Sequence, residues 1–117
     1  MRRLFGEPMM LPPELLARWP ELAQARFRSG GLPPRLGGWA LGVSCVAGIA
    51  LGRTIWLAAS QPLDPELLLH EIRHVQQWRE HRFFVARYLW QTLTRGYAAN
   101  RFERDARRYA ARRMRES

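Results

Sequence analysis

The chain reads as a single α+β domain, with a small β-sheet followed by a helical part that carries a candidate metal site. Three stretches support this reading. "IALGRTIWLA" (49–58) is rich in β-branched, aromatic and small residues that suit pleated strands. "DPELLLHEIRHVQQW" (64–78) opens with a helix start signal and then repeats apolar residues at helical spacing. Two further segments, 82–95 and 99–114, keep that spacing to near the end of the chain.

In chain order, residues 1–11 read as an irregular arm. "PPELLARWPELAQARFR" (12–28) predicts a helix with Leu15, Leu16, Trp19, Leu22 and Phe27 near helical spacing, split in two by Pro20. "SGGLPPRLGG" (29–38) is a loop by composition. Strands are expected at 39–46 and 49–58 around a turn at Ala47-Gly48, and Arg53 and Thr54 suit a sheet edge. Asp64 then caps a helix, with Pro65 in its first turn and Glu66 beside the positive end of its dipole. That helix should run to about Glu80. A second spans about Arg82–Arg95, ended by Gly96, and a third spans about Ala99–Met114. The domain 1–117 thus divides into an N-terminal arm and helix (1–38), a β-hairpin (39–58) and a helical metal-binding part (64–114).

The formal charge is +9, and all 19 basic residues counted with it are arginine. Such an excess favours anionic partners, nucleic acid among them, without specifying one. The arginines of 101–115 spread around their helix with Glu103 and Asp105 interleaved, the pattern of a solvated face. The single cysteine, Cys45, excludes an internal disulfide and sits in an apolar stretch. "GGWALGVSCVAGIALG" (37–52) is shorter than the ~20 residues of a membrane span. No transmembrane segment is expected, no secretory signal is visible, and a cytoplasmic location follows as the expectation.

Within the capped helix, "LLLHEIRHVQQW" (67–78) holds two histidines and an acid in an otherwise apolar run. At about 100° per residue, His70 and His74 lie about 40° apart on one face, away from the core stripe of Leu68, Ile72 and Val75. Two neutral imidazoles on adjacent turns can share one zinc ion. Glu71 flanks them, placed to take a proton from a water at the same ion. The ordinary alternative is a pair of surface histidines on an amphipathic helix. A catalytic zinc needs a third protein ligand. Glu80 and His81 lie at the end of the same helix and cannot fold back. Glu103 can reach, because Ala99, Ala106 and Ala110 give its helix a small-residue stripe for close approach. Its ordinary alternative is a surface acid paired with Arg107. Asn100 reads as a helix cap, Tyr97 as a packing residue or an oxyanion donor. Trp78, Phe83, Phe84, Tyr88, Trp90 and Phe102 read as core.

"HEIRH" followed by "NRFERDARRYA" resembles the gluzincin branch of zinc metallopeptidases, and the second segment is similar to the glutamate helix of the HtpX-type enzymes. The chain's length resembles the minigluzincins, and "LGRTIWLA" and "VQQW" are similar to segments of small bacterial zincin-like proteins. The resemblance covers roughly residues 50–112. It implies a minimal zincin-like domain with an edge strand over the active-site helix, zinc held by His70, His74 and Glu103, and Glu71 as general base. The family's Asp after Glu-x-x-Ala is Arg107 here, which removes its usual support of a metal histidine, and Asp105 is expected to point elsewhere. The implied activity is zinc-dependent hydrolysis of a peptide or protein substrate, aligned along the strand at Arg53–Leu57. The rival reading is a zinc-stabilised binding module for an anionic partner, nucleic acid or acidic protein.

Overall fold

The computed structural model describes residues 6–31, 48–58 and 63–116. Strand β1 (Glu7–Met9) is followed by helix α1 (Pro13–Arg18), a 3-10 turn (Pro20–Gln24) and strand β2 (Arg26–Ser29). Strands β3 (Gly48–Leu51) and β4 (Thr54–Leu57) precede helices α2 (Pro65–Glu80), α3 (Phe84–Arg95) and α4 (Arg101–Glu116). The sheet is mixed, in the order β1-β2-β4-β3. β1 and β3 run antiparallel to their neighbours, whereas β2 and β4 are parallel, with Phe27 opposite Ile55.

The N-terminal third departs from expectation. Pro20 does split the helical stretch, ending α1 and opening the 3-10 turn. Residues 26–28, however, expected in the helix, form a strand together with Ser29 of the expected loop, and part of the arm forms β1. Arg26 N donates to Arg53 O at 2.8 Å and Gly30 N to Leu57 O at 2.6 Å, so β2 is held by the distant strand β4 rather than by local signals. Phe27 points inward and is buried, while its neighbours Arg26 and Arg28 point away.

The 49–58 segment is itself a hairpin. Gly52, at φ 63°, takes the left-handed conformation the turn needs, and β3 folds back on β4 with Ala50 opposite Ile55. The proposed strand 39–46, Cys45 and Ala47 of the proposed turn lie outside the described residues. β4 is not an edge: β2 flanks it on one side and β3 on the other, so its backbone is committed. Among the described residues, the outer strand on the helical side is β3.

α2 starts as read, with the Asp64 side chain accepting from Glu66 N at 3.1 Å, and it ends at Glu80. Leu68, Leu69, Ile72 and Val75 are fully buried and join Phe27, Ile55, Leu57 and Leu22 in one core between α2 and the sheet. Trp78 Nε1 donates to Ala50 O at 3.2 Å, fastening α2 to β3. α4 lies against α2 through Ala106 and Ala110, both buried. Ala99 is exposed and precedes α4, so the close approach uses two alanines rather than three. At the far end of α4, Arg113 and Tyr109 both bond Glu21 of the 3-10 turn, tying the last helix to the N-terminal third.

Candidate metal centre

α2 and α4 together place the site. The buried leucines and Ile72 fix the rotation of α2, leaving His70 and His74 one turn apart on the side toward α4, with ring centroids 4.9 Å apart. Asn100 caps α4, its Oδ1 accepting from Phe102 N at 2.8 Å, and its amide donates to Tyr88 O and Thr92 Oγ1 of α3. The capped first turn carries Glu103 inward to a buried position. One carboxylate oxygen of Glu103 lies 2.9 Å from His70 Nε2 and 3.2 Å from His74 Nε2. The donor atoms of the three residues all lie within 4.8 Å of one another. His70 is the most accessible of the three, its side chain 18% exposed against 8% for His74 and 5% for Glu103.

The tautomer of His74 follows from its neighbours. Gln77, fully buried, donates from its amide nitrogen to Phe102 O at 3.0 Å and to Asp105 Oδ2 at 2.9 Å. Both partners only accept, so the amide oxygen is the atom that faces His74 Nδ1 at 2.7 Å, and Nδ1 must donate. Nε2 is thereby the nitrogen left free to face a metal. With a proton on Nε2 as well, the ring is an imidazolium. Burial opposes that charge, but the hydrogen bond to Glu103, the charges of Glu71 and Glu103 and the Gln77 contact outweigh it, pushing the His74 pKa up to about 9.

The pKa values of the two buried carboxylates are pushed in opposite directions. Burial raises the pKa of Glu103, but hydrogen bonds from His70, His74 and Tyr88 more than reverse this and hold it well below the usual carboxylate range. Glu71 has its pKa raised, first by burial and then by the charge of Glu103, against the pull of the two histidines. Glu103 is therefore the stable anion suited to a cation, and Glu71 the more basic group suited to accepting a proton. Glu71 also lies against β3: a Cβ added to Gly48 would stand 3.5 Å from Glu71 Cγ, an ordinary contact distance, so the strand runs directly beside the acid.

The structure brings His70, His74 and Glu103 together as the sequence suggested, with Glu71 buried beside them on α2. Three further participants were not foreseen. Gln77 takes the histidine-supporting role that Arg107 cannot fill; Arg107 donates instead to Ala98 O. Asp105 does not point away but accepts from Gln77 and, at 2.7 Å, from Arg73 Nε, so it backs the site through the amide. Tyr88, read as core, donates its hydroxyl to the second oxygen of Glu103. The one available signal was spacing: Gln77 stands three residues after His74, on the same helix face. Tyr97 is 43% exposed, and its hydroxyl pKa is raised to about 12 by burial and then by the negative charges of Glu103 and Glu71. His81 lies apart, edge-on to Phe102. Of the aromatics read as core, Phe84 and Phe102 are buried, but Phe83 and Trp90 are 73% and 63% exposed.

Two imidazole nitrogens and one carboxylate oxygen lying this close together form a donor set that could hold a metal ion. Compared with protein families, curated proteins and solved structures, the chain matches none.

Proposed function

We propose that the protein is a zinc-dependent peptidase of minimal gluzincin-like design. The observation that supports this most is the convergence of His70, His74 and Glu103, with the basic, buried Glu71 adjacent in sequence to one of the ligands. Zinc bound there would supply Lewis-acid polarisation of a carbonyl and a more acidic water. In this reading the chain's residues divide the work. His70, His74 and Glu103 hold the ion, Gln77 keeps the His74 Nε2 lone pair directed at it, and Tyr88 fixes the free oxygen of Glu103. Glu71 takes the proton of the attacking water and returns it to the leaving amine. A peptide would align along β3, the outer strand beside Glu71, rather than along the enclosed β4.

The test is cleavage of a mixed peptide library by the purified protein, with and without chelator, beside Glu71→Gln. The amide keeps the shape of the acid but cannot accept the proton, so cleavage should fall about 10²–10⁴-fold with zinc content unchanged. Cleavage that survives chelation, or that is undiminished in Glu71→Gln, would sink the reading. Stoichiometric zinc without any cleavage would leave the second reading, a zinc-stabilised module that binds an anionic partner such as nucleic acid or acidic protein. Its support is the row of exposed arginines on α4, Arg101, Arg104, Arg107, Arg108, Arg112 and Arg115.

A further inference from the structure

Helix α3 is apolar on both sides. Phe84 and Tyr88 face inward toward Phe102 and the metal centre. On the opposite side Val85, Leu89, Trp90 and Leu93 are exposed by 46%, 58%, 63% and 80%, and Phe83 extends the row at its N-terminal end. A surface helix of a monomeric domain normally carries polar residues there. A contiguous apolar strip of this kind marks a docking face.

The surrounding charge is of one sign. Residues 81–102 contain four arginines, Arg82, Arg87, Arg95 and Arg101, and no Asp or Glu. Arg87 and Arg101 flank a hollow of about 260 Å³ between α3 and the start of α4, floored by Trp90 and Phe102. A second copy of the chain is a poor occupant. It too carries +9, and a twofold contact through this face would set the same arginines against each other. An anionic lipid surface matches both features. Its acyl region accepts the leucines and Val85, Trp90 suits the interfacial layer, and the long arginine side chains reach outward to phosphate headgroups. At 12 residues α3 is too short to cross a bilayer, and no described helix is long and apolar enough to do so, which leaves it lying in the plane of the interface.

We infer that the outer face of α3, with Arg82, Arg87, Arg95 and Arg101 around it, docks the protein on anionic phospholipid membranes. The inference stands independently of the metal reading, because none of these residues is a candidate ligand. Docked this way, the protein presents the metal centre behind α3 close to the bilayer.

Vesicle sedimentation of the full-length protein tests it. Vesicles of phosphatidylcholine with phosphatidylglycerol should bind the protein, and phosphatidylcholine alone should bind about tenfold less. Leu89→Ser/Leu93→Ser leaves every charge in place and changes only exposed side chains, so it should fold as the wild type by circular dichroism yet bind about tenfold more weakly. Brominated lipid should quench part of the tryptophan emission, and that part should vanish in Trp90→Phe. Failure to bind the anionic vesicles would overturn the inference. Equal binding by the double serine variant would do so too, by reducing the effect to bulk charge. A wild-type dimer in solution that the serine variant dissociates would assign the face to a second copy instead.

Discussion

The amide oxygen of Gln77 stands 2.7 Å from His74 Nδ1, and both side chains are buried. This one bond fixes which ring nitrogen is offered to a metal. Gln77→Leu keeps the volume and removes the acceptor. Zinc affinity, read by chelator competition, should drop about 10–100-fold. An unchanged affinity would mean that packing alone orients the ring.

Glu103→Ala removes a candidate ligand, whereas Glu71→Ala removes a group beside the ion. The first should lose zinc far more readily than the second, by at least about tenfold in the same competition assay. Equal affinities in the two variants would reduce Glu103 to a buried acid satisfied by Tyr88 and the histidines.

Ala106 is fully buried where α4 meets α2. Ala106→Leu should force the helices apart and cost about 1–3 kcal/mol of stability by thermal or urea unfolding. Glu103 lies one turn away, so zinc affinity should fall together with stability. Arg104→Ala, on the exposed side of the same helix, should leave both near wild type. Tight zinc binding in Ala106→Leu would show that the site does not depend on the close approach.

Glu21 accepts from Tyr109 at 2.7 Å and from Nε and Nη2 of Arg113. Burial raises its pKa, but these bonds outweigh that and leave it lowered in the folded protein. A lowered folded-state pKa means stability that is present above the unfolded value of 4.5 and is lost as pH falls through the lower, folded value. Glu21→Gln should cost about 1–2 kcal/mol at neutral pH. The gap between variant and wild-type melting temperatures should close as the pH falls below 4.5. A gap independent of pH would mean that the tie works without the charge.

What the sequence showed and what it hid divide along local and non-local lines. Asp64, Pro65 and Glu66 mark the start of α2 within three residues, and His70, Glu71 and His74 share a helix, so both were legible from spacing. Glu103 was legible because the alanines beside it announced a close contact. β2 was hidden, since Arg26, Phe27, Arg28 and Ser29 are too few to display a period of two, and their strand exists because β4 pairs with them. The enclosure of β4 was hidden for the same reason. Spacing places Gln77 beside His74, but which amide atom faces the ring depends on where Phe102 and Asp105 come to rest. Trp90 and Phe83 share helical spacing with buried neighbours, and a helix apolar on two sides does not say which side faces out.

The parallel pairing of β2 with β4 also sets an order of events during synthesis. β1 and β2 are made early and can pair with each other at once, but the inner side of β2 must wait for residues 54–57. Glu21 waits longer still, for Tyr109 and Arg113 near the other end of the chain. While the ribosome is still adding α2 to α4, Phe27 and Leu22 have no core to enter. A stall or truncation after the hairpin therefore yields a nascent chain with a sheet whose apolar residues are uncovered, the kind of species that chaperones hold and proteases remove.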